Sequence, residues 1–145
     1  MSDGAPRDWP DTAPAISPDR GSFRDRNNRV FRAGEKIYRG VSKTAFENWK
    51  AVSEAKFYRA LADDGKLIAT SEVSEIEKAG LGALTDWPQA LTHETVPFVS
   101  YPYEWSFGML KDAALLHLDI LLKAIPEGWT LKDSSAYNVQ FIGAR

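Results

Sequence analysis

The sequence contains no cysteine in 145 residues. That absence excludes a disulfide framework, a thiolate zinc site and a cysteine nucleophile, and it favours a reducing compartment, with the cytoplasm expected. No apolar run is long enough to span a bilayer. The opening Met1-Ser2-Asp3-Gly4 places acids and prolines where an export signal needs a basic start and an apolar core, so none is expected. Positive charge is not in excess either, with 18 Lys and Arg against 20 Asp and Glu. A net charge of -2 gives nothing to attract a phosphate backbone, which speaks against nucleic acid as a partner. The two histidines, His93 and His117, are separated by a predicted strand and helix with no third ligand at metal spacing, and both are assigned structural or surface roles. A serine hydrolase is unsupported, because no G-x-S-x-G elbow exists.

What is present reads as an α+β chain in three parts. Residues 1–24 carry Pro6, Pro10, Pro14 and Pro18 among Asp, Ser and Arg, a composition that cannot bury enough apolar surface to offset ordering, so a disordered leader is expected. Residues 25–100 are expected to form a small α+β lobe. Its hairpin runs from Arg29-Val30-Phe31-Arg32 to Glu35-Lys36-Ile37-Tyr38-Arg39 around Ala33-Gly34. A helix capped by Ser42 or by Thr44, with Glu47 three residues on, should follow and end near Gly65. Strands are predicted over 66–70 and 91–100, with a connector holding Gly80, Gly82, Pro88 and a helical turn around Ile76. Residues 101–145 should hold a hinge, a long helix and the start of a second lobe. The helix begins at a Ser106 cap, and its stripe of Phe107, Leu110, Ala114, Leu118, Leu121, Leu122 and Ile125 is expected to face the core. A short strand is predicted over 138–142.

Asp133 and Asn138, spaced D-x-x-x-x-N between that helix and that strand, are the candidate catalytic residues. The spacing resembles the catalytic loop of protein-kinase-like phosphotransferases, in which the Asp orients or deprotonates an attacking hydroxyl and the Asn reaches a magnesium ion on the nucleotide phosphates. That resemblance implies a kinase-small-lobe-like first part, Asn138 as a metal ligand and Mg-ATP as cofactor. Lys36, paired with Glu47 or Glu54, would stand in for the usual lysine and glutamate pair. Leu131-Lys132 replaces the usual His-Arg before the Asp, and the hairpin lacks a multi-glycine loop. An equally open reading has Asp133 capping the turn and Asn138 satisfying loop carbonyls.

A second resemblance is closer in wording. Asp25-Arg26-Asn27-Asn28-Arg29-Val30-Phe31, the run Val96-Pro97-Phe98-Val99-Ser100-Tyr101-Pro102-Tyr103-Glu104-Trp105-Ser106-Phe107-Gly108-Met109-Leu110-Lys111-Asp112, and Leu131-Lys132-Asp133 with Tyr137-Asn138-Val139-Gln140-Phe141 resemble the N-terminal region of a bacterial family of SAM-dependent methyltransferases that includes a nodulation protein. The resemblance implies a transferase-family region that binds or presents a small-molecule or carbohydrate-like substrate. SAM and its glycine-rich turn would belong to a downstream methyltransferase domain. Gly80 and Gly82 follow no strand of the required kind. The aromatics Tyr101, Tyr103 and Trp105 and the basic residues Lys36 and Lys132 are the candidate substrate- or nucleotide-binding residues. Flat rings stack on planar or apolar ligand faces, although core packing serves the same residues. A non-enzymatic interaction module using the surface from Tyr101 to Phe107 is the third reading.

Overall fold

The computed structural model describes residues 15–143, with only the backbone described at Ile76. It is a mixed α+β fold of five antiparallel strands and four helices. The strands are β1 (Ser17–Pro18), β2 (Asn28–Ala33), β3 (Lys36–Val41), β4 (Thr70–Glu72) and β5 (Gln89–His93). The helices are α1 (Lys43–Glu54), α2 (Lys56–Asp63), α3 (Glu75–Ala79) and α4 (Phe107–Ala124). Strand order is β1-β2-β3-β5-β4, and the chain passes through α1 and α2 between β3 and the edge strand β4.

The hairpin forms where alternation and Gly34 place it. Phe31 pairs with Tyr38 and Ala33 with Lys36, and Gly34 takes the left-handed backbone (φ 59°) that the tight turn requires. Alternation then sorts the sheet into two faces. Phe31, Ala33, Tyr38 and Ala90 pack on Val73 and Leu84 from the connector and form the first core. Gly40 lies against the indole of Trp87 on the same sheet. The second core joins the helices, with Phe57 and Leu61 of α2 against Ile120 and Ala124 of α4. A third, smaller cluster holds Trp105, Ala113 and Val139.

Several expectations are corrected. Residues 1–14 of the expected leader lie outside the described residues. The rest of that segment is built into the fold, because Ser17 and Pro18 pair with Arg32 and Phe31, and the Asp19 carboxylate accepts from Arg32 Nε at 2.8 Å. Ser42, not Thr44, caps α1, its Oγ accepting from the Ala45 N–H at 3.2 Å. The single helix expected to run to Gly65 is broken at Ala55, whose ψ of 144° is extended.

Residues 66–69 are not a strand, because Leu67 turns into the helical core and the ladder begins only at Thr70, opposite His93. The strand expected over 91–100 stops at His93: past it the Glu94 N–H donates to the Ala69 carbonyl at 2.9 Å, the Thr95 hydroxyl donates to the Glu35 carbonyl at 2.7 Å, and Pro97 has no N–H to give. Residues 138–142 are not a strand. They follow a 3-10 turn, Ala136–Asn138, and are held by a side chain instead of a ladder. The Ser106 cap of α4 forms, but the face expected to be buried is the outer one. Ala113, Ile120 and Ala124 are buried, whereas Phe107, Leu110, Leu118, Leu122 and Ile125 are exposed.

Candidate functional site

A groove of about 660 Å³ opens where the loop after α2, the middle turns of α4 and the segment 138–142 meet. Gly65, at φ 68°, ends α2 and turns the chain along one wall as Lys66-Leu67-Ile68-Ala69. The floor is apolar, with Ala113, Leu116 and Ile120 of α4 facing Val139 and Phe141. Polar groups come from Asp112 and His117 of α4, from Glu94, and from Asn138 and Gln140.

Gln140 fixes the far wall. Its side-chain oxygen accepts from the Ser100 N–H at 2.9 Å and its amide donates to the Ser100 carbonyl at 3.1 Å, a two-pronged clasp that mimics one rung of a sheet. Ser100 Oγ in turn accepts from Trp105 Nε1 at 2.9 Å, and the Trp105 ring meets Phe141 edge-on at 5.0 Å. The two Gln140 hydrogen bonds and the aromatic contact thus tie the loop before α4 to the loop after it, and the Trp105 bond to Ser100 braces the first of these loops internally. Outside the groove, Asp119 lies between Lys123 at 2.8 Å and Lys66 at 2.9 Å. The hydrogen bonds from Lys123 and then Lys66 hold its carboxyl below the usual carboxylate range, and Asp119 raises Lys66 in return.

The candidate residues named from sequence separate into distinct places. Asn138 lines the groove, and its amide nitrogen donates to the Asp133 carbonyl across the turn. Asp133 is exposed and holds a left-handed backbone (φ 55°), a conformation that Asp tolerates better than most residues. The contact between the two is therefore the turn-closing one. Lys132 is exposed beside them.

Lys36 does not meet α1. Its Nζ lies 4.0 Å from Glu77, and Glu47 pairs with Lys43 at 4.0 Å on its own helix. Tyr101 and Tyr103 stack on each other, with centroids 5.5 Å apart and planes within 3°, and both stay exposed. Trp105 is buried in the third core cluster, so its ring packs the interior and does not present a face to ligand.

Sequence reasoning missed Asp112, His117 and Gln140 as groove residues. They lie on a helix face and an irregular segment whose orientation no local motif specifies.

Two other polar groups are perturbed by the sheet. Burial, and then the nearby Arg39 guanidinium, lower the His93 imidazole to about 4. Burial and the hydrogen bond to Glu77 at 2.9 Å raise Tyr38 to about 12.

Neither cofactor implied by the resemblances finds a complete seat among the described residues. The strand-to-helix turns there, from β3 into α1 and from β4 into α3, hold Ser42 and Val73-Ser74, with none of the glycines that let a backbone approach SAM. The close approach at Gly40 is taken by Trp87. For Mg-ATP, no group of three metal-ligating side chains gathers among the described residues.

Over 126 residues, 86% of its length, the chain is 37% identical to the nodulation protein NoeA of Rhizobium meliloti (strain 1021), and the match covers 25% of that protein. The chain spans about a quarter of the length of the curated relative it matches. No family model matches the chain, and no solved structure matches it.

Proposed function

We propose that this chain is the ligand-binding region of a larger NoeA-like protein. Its groove between α2, α4 and residues 138–142 takes a small-molecule or carbohydrate-like substrate and presents it to methyl-transfer chemistry held elsewhere in that protein. SAM is the donor in this reading, bound by a methyltransferase domain beyond the matched region, in the cytoplasm. The observation that carries the reading is the groove itself. Its volume of about 660 Å³ is in the range of small-molecule sites, and an apolar floor with a few convergent polar groups is what such sites share. Asn138 and Gln140 supply amide donors and acceptors suited to hydroxyls. Asp112 and His117 stand on the opposite helix. Lys132, Asp133, Tyr101 and Tyr103 are assigned to the rim, since Tyr101 follows the Ser100 that Gln140 clasps.

A second reading has one specific observation in its favour. The antiparallel sheet, with its helical passage between β3 and β4 and the long helix leading to Asp133 and Asn138, follows the element order of a kinase small lobe and the first helix of a large lobe. In that reading Asp133 orients a substrate hydroxyl and Asn138 contributes to a magnesium site completed by residues beyond the matched region. Lys36 is the weakest member of that set, because it pairs with Glu77.

Titration calorimetry with SAM, with Mg-ATP and with a panel of neutral oligosaccharides separates the readings. The first expects oligosaccharide or small-polyol binding that Asn138→Ala weakens at least about tenfold, equivalent to about 1.4 kcal/mol, and no SAM binding. Tight SAM binding overturns the placement of the donor site. Mg-ATP binding abolished by Asn138→Ala promotes the phosphotransferase reading.

A further inference from the structure

Exposed apolar surface is distributed very unevenly over this chain. Of the fourteen large hydrophobic side chains exposed among the described residues, twelve fall between residues 98 and 142. The sheet and its connector are closed, with Tyr38, Val73, Leu84 and Ala90 at 2% exposure or less. On α4 the outward side chains include Phe107 at 83%, Leu118 at 54%, Leu122 at 72% and Ile125 at 58%. Their spacing is that of a seam meant for a partner helix: Phe107, Leu110, Ala114, Leu118 and Leu121 are separated by three or four residues along the 18-residue helix, and Ile125 at its C-cap continues the series. Monomeric proteins rarely leave contiguous apolar surface of this extent uncovered.

The segment after α4 has the same character. Val139 and Phe141 turn inward, and Ile142 is exposed. The alternating stretch from Val139 to Ile142 has no ladder partner among the described residues, and Gln140 clasps Ser100 through its side chain instead. The Val139 N–H closes the preceding turn on the Ala136 carbonyl, and beyond it an alternating apolar segment outside any ladder is a template for an added strand.

We infer that the outer face of α4 and the segment 139–142 together form one interface, covered by further polypeptide of the NoeA-like protein that packs a helix on α4 and adds a strand along 139–142. The occupant is argued from two facts. The NoeA match covers 25% of that relative, so most of a NoeA-like chain is available as neighbour. The two exposed surfaces are also of different kinds, a helix seam and a strand edge, on adjoining elements. A covering α+β unit satisfies both, whereas a second copy laid helix to helix on α4 leaves the strand edge unpaired. The inference rests on the reading of this chain as one region of a larger protein; residues 139–142 also line the groove, so the added strand would border it.

The test compares this chain with intact NoeA by hydroxyl-radical footprinting read by mass spectrometry, with light scattering to fix the oligomeric state. In the chain alone, the result expected is a monomer that binds an apolar dye and whose Phe107, Leu118 and Leu122 are labelled. The matched helix of intact NoeA should be labelled at least about fivefold less. Leu118→Glu combined with Leu122→Glu should abolish dye binding while leaving the thermal midpoint of this chain unchanged, which establishes that these side chains carry no weight in its own core. Equal labelling in intact NoeA overturns the inference. So does a dimer of this chain, dissociated by the double variant, in which α4 is already protected. Failure of oligosaccharide binding in calorimetry touches only the groove's assignment and leaves this interface standing.

Discussion

The carboxylate of Glu127 accepts the backbone N–H groups of both Lys56 and Phe57, each at 2.9 Å, and so caps α2 from the far end of α4. A helix start leaves its first N–H groups without intrahelical partners, and Ala55, at the N-cap of α2, has no side-chain oxygen to offer them. Glu127 supplies both bonds across 70 residues of sequence, and its negative charge meets the positive end of the helix dipole. Replacing Glu127 by Ala should therefore cost about 0.5–2 kcal/mol, the range for loss of an N-cap. Glu127→Gln, which retains one acceptor oxygen, should cost less. Chemical denaturation midpoints measure both, and an unchanged midpoint for Glu127→Ala would show that water caps α2 equally well.

The two faces of α4 should respond oppositely to truncation. Ile120 is buried between Phe57, Leu61 and Ala124, so Ile120→Ala should cost about 2–5 kcal/mol through lost transfer energy and a residual cavity. Leu122, exposed on the other side, should change stability by less than about 0.5 kcal/mol on the same truncation. Comparable losses at the two positions would mean that the outer face is covered within this chain.

That pair of residues also shows what the sequence could and could not reveal. Ser106 and the repeat of apolar residues made the existence and start of α4 legible, and alternation with Gly34 did the same for the hairpin. The buried face was not legible, because α4 is apolar nearly all round and its larger side chains point outward. The side facing α2 uses Ile120 and Ala124, the small size of the second permitting close helix approach. The break at Ala55 carries no Gly or Pro, and it depends on a carboxylate far away in sequence.

Gly40 should resist any side chain. A Cβ built there would come within 2.4 Å of the Trp87 ring, inside contact distance, so the indole or the strand must shift. Overpacking of this kind costs about 1–3 kcal/mol, and Gly40→Ala should lower the denaturation midpoint accordingly. Gly40→Ala combined with Trp87→Leu should recover part of the loss. If Gly40→Ala alone leaves stability unchanged, Trp87 is free to move and does not seal the sheet.

The candidate site was legible in part for the same kind of reason. The D-x-x-x-x-N spacing did bring Asp133 and Asn138 together, since five residues are enough to close a turn whatever its chemistry. What spacing cannot encode is which atoms meet: here Asn138 satisfies the Asp133 carbonyl, while its side chain also lines a groove whose opposite wall is the stretch of α4 from Asp112 to Ile120. Trp105 was readable as aromatic, but its burial depends on Ser100, Phe141 and the Gln140 clasp, none of which a local pattern connects.

Stability should fall as pH drops from about 6.5 toward 4, with His93 as one identifiable cause. Burial, together with Arg39, depresses the folded-state value of its imidazole to about 4, against an ordinary value of 6.5. Below pH 6.5 the unfolded chain takes up a proton at this residue that the folded chain refuses until about pH 4. The stabilising contribution of the neutral ring is thus fully present above pH 6.5 and is lost progressively as the pH falls through that window. In the fold, Nδ1 of the ring lies 2.9 Å from Thr70 Oγ1, and Nε2 is enclosed without a protein partner, so a charged ring would gain no carboxylate to offset its desolvation. The carboxylates of Asp19 and Asp119, both held below their ordinary value, add their own loss at lower pH, and for that reason the comparison must be with a variant. His93→Gln, which keeps a polar group near Thr70 but cannot titrate, should flatten the dependence of the thermal midpoint on pH between 6.5 and 4 relative to the parent chain. Resolved proton NMR of the ring gives the direct measurement, and a His93 midpoint near 6.5 would refute the burial and coupling described here.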